Sequence, residues 1–169
     1  HQFSINKQYV VIHAAPEYIS HCWNDEKIAK VADALIEKYN VDVIFSGAKK
    51  DAALNQKILS LMKNRAFNFA GKTNIKQFFA PIKKSRLVVS VDTSAMHVAA
   101  AFHVPVVALF GEGNPQIWRP YSENSKVIFK EKGKCRGCSK LFGSDGMKHE
   151  CMGLIEVEEV LDAVDDLLR

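Results

Sequence analysis

The sequence lacks both a long apolar run and a secretory leader. A membrane-spanning helix needs about 20 consecutive apolar residues, and no stretch of the 169 residues approaches that length. The N-terminus also lacks the basic-then-apolar layout of a secretory signal. We therefore expect a chain without a transmembrane segment. Its hydrophobic fraction of 47% and charged fraction of 25% are typical of one globular domain over residues 1–169.

The sequence also lacks a dense block of one charge. The net charge is only +4, and the lysines are spread along the chain. Nucleic-acid-binding surfaces usually concentrate basic residues, whereas this mild charge suits an anionic small molecule or a membrane surface better. We therefore expect no nucleic-acid partner.

Cysteine is scarce, and three of the four cysteines fall in one irregular insertion, residues 131–153. They are Cys135 and Cys138 in a C-x-x-C pattern and Cys151 in an H-x-C pattern with His149; Cys22 lies far upstream. Three thiolates and one imidazole can complete a tetrahedral zinc site. A structural zinc, a disulfide and free thiols are all open alternatives. We favour reduced thiols and expect no catalytic role for them.

Short apolar, β-branched segments alternate with segments of helical period. This alternation is typical of α/β proteins with a Rossmann-like parallel sheet and helices on both faces. We predict strands over residues 9–13, 41–46, 67–70, 86–91, 105–110 and 126–129. We predict helices beginning near Asn24, Ala53, Asn74, Ser94 and Glu156, and we expect the last one to stay free to pack toward a partner domain.

The loop after the fourth predicted strand carries the clearest candidate site. In open parallel sheets, ligands bind beyond the carboxyl ends of the strands. This loop begins at Asp92 and places Thr93 and Ser94 where the next helix starts, and helix N-termini bind phosphate readily. His97 follows in the first turn, within reach of a phosphate oxygen. The alternative is that Asp92 or Thr93 only caps the helix and that His97 is a structural histidine.

The segment DTSAMHVAAAFHVPVVALFGEGNPQIWRP, which begins at Asp92, resembles the diagnostic block of the heptosyltransferases, glycosyltransferase family 9. The usual family form is Asp-Ser/Thr-Gly, two residues, His, an alanine cluster, and a Pro-initiated strand ending in Phe-Gly. Ser94 replaces the usual Gly and keeps a small residue there. The segment from Gly71 to Asp92 and the first strand with Trp23 extend the resemblance over nearly the whole chain.

This resemblance implies the C-terminal, donor-binding half of a two-domain GT-B fold, with the N-terminal acceptor domain absent from this chain. The implied reaction transfers heptose from ADP-heptose to a lipopolysaccharide core acceptor with inversion, and it requires no cofactor. In the family the catalytic base belongs to the N-terminal domain, so we expect no catalytic residue here and an inactive isolated domain. The implied location is the cytoplasm, at the inner face of the bacterial inner membrane.

Two alternatives to a transferase stay open. One is a stand-alone nucleotide-binding module of the same fold without transfer activity. The other is a GT-B-like UDP-sugar epimerase, which would need acid and base groups that the sequence does not offer. The candidate donor-binding residues are Asp92, Thr93, Ser94, Ala95, Met96, His97, Ala14, His21, Asp51, Lys72 and Thr73.

The opening loop departs from the family pattern. Family members commonly carry threonines after the first strand and a lysine two residues before the tryptophan, whereas this chain has Ala15, Pro16 and His21. A neutral histidine binds phosphate more weakly than a lysine, so the change affects donor affinity, donor identity or activity itself. His21 is alternatively a solvated loop residue.

Two further loops contribute candidates. Asp51, four residues after Gly47, resembles an acidic residue that the family uses near the nucleoside; alternatively it is a first-turn helix acid favoured by the dipole. Lys72 and Thr73 suggest a P-loop, but Ala66 stands where that motif requires its first glycine. We expect Thr73 or its neighbour Asn74 to cap a helix.

Overall fold

The computed structural model describes residues 7–15, 22–111, 113–130 and 151–169. Six parallel strands form one sheet in the order β3-β2-β1-β4-β5-β6. The strands are β1 (Tyr9–His13), β2 (Asp42–Phe45), β3 (Phe67–Asn68), β4 (Leu87–Val91), β5 (Val106–Phe110) and β6 (Ser125–Phe129). The helices are α1 (Asp25–Tyr39), α2 (Ala52–Leu61), α3 (Ile75–Lys83), α4 (Ser94–Ala101), α5 (Pro115–Trp118) and α6 (Val157–Leu168). The predicted fold class is confirmed.

Asparagines begin and end several helices. The Asn24 side chain accepts hydrogen bonds from two backbone N–H groups of α1, at 2.9 and 3.0 Å. Asn40 ends that helix in the left-handed conformation, with φ at 51°. Asn74 and Gln77 cap α3 reciprocally, through bonds of 2.9 and 3.0 Å between each side chain and the other's backbone N–H. Of the two predicted caps, Thr73 and Asn74, the structure therefore has Asn74.

The sheet buries both faces. Helices α1, α2 and α6 pack on one face, where Val10 and Ile12 of β1 lie in the core. Helices α3 and α4 cover the other face, where Val11 of β1 packs. Because side chains alternate along a strand, the ring of His13 falls on the α3 side, where it contacts Phe78. The predicted helices on both faces are confirmed.

The last helix is not free, so that prediction is wrong. Val160, Ala163 and Val164 of α6 are buried in the same core as α1. The apolar face of α6 fills the space between α1 and strands β5 and β6, which would otherwise be open to water. The indole Nε1 of Trp23 donates to the carbonyl of Ile155 at 3.1 Å and ties the chain before α6 to the start of α1.

Two short elements differ from the predictions. Strand β3 ends at Asn68 and not at residue 70, because Asn68 turns its side chain onto the backbone N–H of Ala70. Helix α5 was not predicted, since four residues are too few for a helical period. Asn114 caps it with a bond of 2.9 Å to Gln116, and Pro115 is its first residue. None of the helices in the described ranges is long and apolar enough to span a bilayer.

Candidate functional site

A cleft of about 400 Å³ opens beyond the carboxyl ends of β1, β2 and β4. Its walls come from the end of β1, the turn after β2, the segment that starts α3, and the loop between β4 and α4. The strand order reverses between β1 and β4, where His13 lies opposite Ser90. Ligands of open α/β sheets bind at this kind of switch point, and the volume is typical of small-molecule sites.

The N-terminus of α4 forms one side of the cleft. The Thr93 hydroxyl accepts a hydrogen bond from the N–H of Ala95 at 3.4 Å, and it lies 3.0 Å from the Ser90 hydroxyl. Thr93 therefore caps the helix, as the structural alternative in the sequence analysis predicted. Ser94, the first residue of α4, is exposed and lines the cleft together with Thr93. The positive end of this helix thus faces the cleft, where an anion would be stabilised.

Asp92 lies between β4 and α4 and packs against the chain that follows β5. A Cβ atom on Gly113 would come within 2.3 Å of Asp92 Oδ2. No other residue fits at position 113 unless the loop or the carboxylate moves. The close approach therefore places the Asp92 carboxylate beside the segment that leads into α5.

Asp51 forms the opposite side of the cleft, after β2. Its Oδ2 accepts a hydrogen bond from the N–H of Ala48 at 2.7 Å, and a Cβ on Gly47 would meet the Asp51 side chain at 2.9 Å. The carboxylate thus closes the turn and also lines the cleft. The structural and ligand-binding interpretations of Asp51 are compatible.

His13 lies at the floor of the cleft and was not among the predicted site residues. It is 9% exposed, its Nδ1 lies 2.8 Å from the Ser46 hydroxyl, and its ring meets the Phe78 ring edge-on at 5.8 Å. Burial lowers the pKa of His13 to about 4, although the Asp51 charge partly opposes this shift. The imidazole is therefore neutral at physiological pH. A polar residue ending an apolar strand was the signal in the sequence.

The cleft brings together five of the predicted donor-binding residues, which are Asp51, Thr73, Asp92, Thr93 and Ser94. They come from three separate loops, and the parallel topology gathers them at one edge of the sheet. The structure also adds Asn74 from the start of α3 to the cleft wall. These five of the eleven predicted residues therefore share one cleft.

Five other predicted residues do not line the cleft. The side chains of Ala14, Ala95 and Met96 are buried in the core, so only the backbone of these residues is available to a ligand. His97 and Lys72 are exposed but lie outside the cleft wall. His97 sits one turn into α4, so its ring must swing toward the helix start to meet a ligand there.

The remaining predicted residues fall mostly outside the described part of the chain. These are His21, Cys135, Cys138 and His149. Cys151 is described and is buried next to Met152. Among the described residues no group of three or more potential ligands could hold a metal ion.

The strand order and the cleft at its switch point define the doubly wound α/β class, in which ligands bind outside the carboxyl ends of the strands. Comparison with known proteins then gives the family. The sequence model of glycosyltransferase family 9 (heptosyltransferase) matches residues 1–144, and the chain belongs to this family.

Two curated relatives and one solved structure illustrate the match. The chain is 31% identical over 166 residues to lipopolysaccharide heptosyltransferase 3 of Escherichia coli strain K12, covering 97% of this chain and 47% of that protein. It is 37% identical over 108 residues to lipopolysaccharide core heptosyltransferase OpsX of Haemophilus influenzae, covering 63% of this chain and 31% of that protein. The structure of E. coli ADP-heptose lps heptosyltransferase II superposes with a TM-score of 0.82 at 26% identity, covering 98% of this chain and 47% of that one. The chain thus spans about half the length of its relatives or less.

Proposed function

We propose that this chain is the donor-binding half of an inverting glycosyltransferase that moves heptose from ADP-heptose to a lipopolysaccharide core acceptor without a metal. Family membership supports glycosyl transfer. The names of the relatives, which specify lipopolysaccharide and ADP-heptose, support the acceptor and the donor. We propose on the same grounds that the protein works in the cytoplasm, at the inner face of the membrane that carries the acceptor.

The N-terminus of α4 at the cleft is the observation that carries the proposal. Thr93 and Ser94 border the cleft at the positive end of an eight-residue helix. A diphosphate placed there gains backbone N–H donors and the helix dipole. During transfer, negative charge grows on the leaving nucleoside diphosphate. The same groups then stabilise the transition state more than the ground state, which is the requirement for catalysis.

The catalytic base in this proposal belongs to the partner half of the enzyme. Both cleft carboxylates make structural contacts in this chain, since Asp51 closes the turn after β2 and Asp92 packs on Gly113. We therefore expect the isolated chain to bind donor and to show no transfer. An assay with ADP-heptose and a lipopolysaccharide acceptor tests this, and measurable transfer by the chain alone would contradict it.

Calorimetric titration with ADP, UDP, GDP and their sugar conjugates tests the donor. We expect ADP and ADP-heptose to bind more tightly than the UDP and GDP series. Equal binding of all three series would contradict the assignment of the base, and absence of binding would contradict the site.

A charge substitution tests the position of the phosphates. Ser94→Asp adds a negative charge where the diphosphate is proposed to bind, while an acid in the first turn stabilises a helix. We expect ADP affinity to fall by at least about tenfold, which corresponds to 1.4 kcal/mol, without loss of thermal stability. The matched control is Ser60→Asp on the exposed side of α2, which should leave affinity unchanged. Unchanged affinity in Ser94→Asp would place the phosphates elsewhere.

A further inference from the structure

His13 is the buried polar side chain at the point where the strand order reverses. It is the last residue of β1 and lies opposite Ser90 of the adjacent β4. It is 9% exposed, yet it forms part of the cleft wall. Polar groups are rarely placed in such positions without a hydrogen-bond partner for each polar atom. The environment of its two ring nitrogens is therefore informative.

Only one of these nitrogens is engaged by a described residue. Nδ1 lies 2.8 Å from the Ser46 hydroxyl, and Ser46 itself is buried at the end of β2. Phe78 of α3 meets the ring edge-on, with an angle of 65° between the ring planes, and so fixes its orientation. Within the described chain, Nε2 is the polar atom of the ring that is left for a ligand in the cleft.

The ring enters this cleft as a neutral group. Burial disfavours the imidazolium form and lowers the pKa of His13 to about 4. A neutral imidazole carries one N–H, and a hydroxyl can either donate to or accept from the other nitrogen. When the Ser46 hydroxyl donates to Nδ1, the proton of the ring lies on Nε2. An oxygen-rich anion in the cleft selects this tautomer, because it needs a donor.

We propose that His13 is a donor-binding residue whose Nε2–H donates a hydrogen bond to an oxygen of the nucleoside diphosphate, with Ser46 as the positioning residue that holds the tautomer. The inference rests on the proposed function, since it requires that ligand in this cleft. Ala15 lines the cleft two positions after His13 and has no hydroxyl to offer.

Three variants separate the two nitrogens. In His13→Gln the amide nitrogen can occupy the place of Nε2, whereas in His13→Asn the shorter amide reaches only the place of Nδ1. Ser46→Ala leaves both nitrogens but removes the hydroxyl that selects the tautomer. Loss of one buried hydrogen bond to a charged partner predicts that His13→Asn weakens ADP binding by about tenfold or more. We expect His13→Gln to stay within about threefold of the wild type and Ser46→Ala to fall between the two.

Calorimetry with ADP distinguishes failure of this inference from failure of the proposed function. If the wild type does not bind ADP, the proposed function fails. If the wild type and His13→Asn bind ADP equally, the proposed function stands and the role of His13 is refuted. Equal losses in His13→Asn and His13→Gln also refute it, because they indicate packing and not donation.

Nitrogen-15 NMR of the histidine ring provides a readout that packing alone would not move. In the ADP complex we expect a neutral His13 with its proton on Nε2, and a shift of that N–H signal as ADP is added. A proton on Nδ1 in the complex would overturn the assignment. Thermal unfolding of each variant without ligand shows whether the affinity changes occur in folded protein.

Discussion

The sharpest test of the nucleoside end of the cleft is Asp51→Ala. This substitution removes a carboxylate with a structural contact, the hydrogen bond of 2.7 Å from the N–H of Ala48. Loss of a comparable capping interaction costs about 0.5–2 kcal/mol. For a domain of this size each kcal/mol lowers Tm by about 2–4 °C. We therefore expect a modestly less stable protein that is still folded at 25 °C.

The effect on affinity should be larger and specific to the nucleoside. A carboxylate that accepts from ribose hydroxyls makes charge-assisted bonds of about 1.5–3 kcal/mol each. Removing Asp51 should then weaken ADP binding by about tenfold to a hundredfold. Inorganic pyrophosphate has no ribose, so its affinity should be unchanged or slightly higher because a negative charge has been removed from the cleft. A contact to the nucleoside predicts this difference between the two ligands, whereas a contact to the phosphates does not.

Calorimetry with ADP and with pyrophosphate, on the same protein preparations, measures the difference directly. The control is Glu26→Ala, since Glu26 is an exposed first-turn acid of α1 that lies outside the cleft. Asp51→Asn retains an acceptor for Ala48 but loses the charge, and its ADP affinity should be intermediate. If Asp51→Ala lowers Tm and leaves ADP affinity at the wild-type value, Asp51 is only a turn residue and the ribose contact is refuted.

Three further predictions use other parts of the chain. His97→Ala should weaken ADP binding by about tenfold to a hundredfold in calorimetry, because the exposed ring is expected to turn toward the start of α4 when the diphosphate binds. His103→Ala, in the turn after α4, should leave the affinity unchanged, and equal affinities for both variants would show that His97 does not contact the ligand. Asp33 is buried and accepts hydrogen bonds from two backbone N–H groups and a side-chain amide. Asp33→Ala should therefore lower the free energy of unfolding in urea by about 2–4 kcal/mol, whereas Glu37→Ala, at an exposed position, should lower it by less than about 1 kcal/mol. Burial lowers the pKa of His13 from the 6.5 of a solvated imidazole to about 4, so unfolding takes up a proton at acidic pH. The stability that the neutral ring contributes is therefore present above pH 6.5 and is lost as the pH falls toward 4. Between pH 7 and 5 the wild type should lose about 2 kcal/mol more than His13→Gln in urea unfolding, and parallel losses in both would show that the ring is not buried in neutral form.

Most of the fold could be predicted because local sequence and burial agree. The strands that end at His13, Val91 and Phe110 are continuous apolar runs, as expected for strands covered on both faces. The prediction and the structure disagree for α6, whose position depends on packing between residues distant in sequence. Helix α6 has a strongly apolar face, but its sequence does not reveal whether α1 of the same chain or another domain covers that face.

The cleft could be predicted in part for a topological reason. Parallel strands deliver their following loops to one edge, so Asp92 and Asp51 could be placed together without any distance information. His13 ends β1 and so reaches the same edge, but its role could not be recognised, because its partner Ser46 lies 33 positions away in sequence and its neutrality depends on burial. Conversely, Met96 follows the loop in sequence, but the helical period turns its side chain into the core.

The charges of the cleft set the direction in which a nucleoside diphosphate can lie under the proposed function. On the β2 side the cleft is lined by Asp51 and Lys50, and on the β4 side by the positive end of α4 and by Asp92, whose carboxylate lies against Gly113. Two unit charges 4 Å apart interact by about 4 kcal/mol at the effective dielectric of a protein surface. A diphosphate beside Asp51 would therefore be repelled by more than one hydrogen bond returns. Under the proposed function we therefore expect the phosphates at the backbone N–H groups that begin α4, and the ribose, whose hydroxyls are donors, at Asp51. The base then extends toward the start of α3, where Ile75 and Phe78 provide the apolar surface of the cleft.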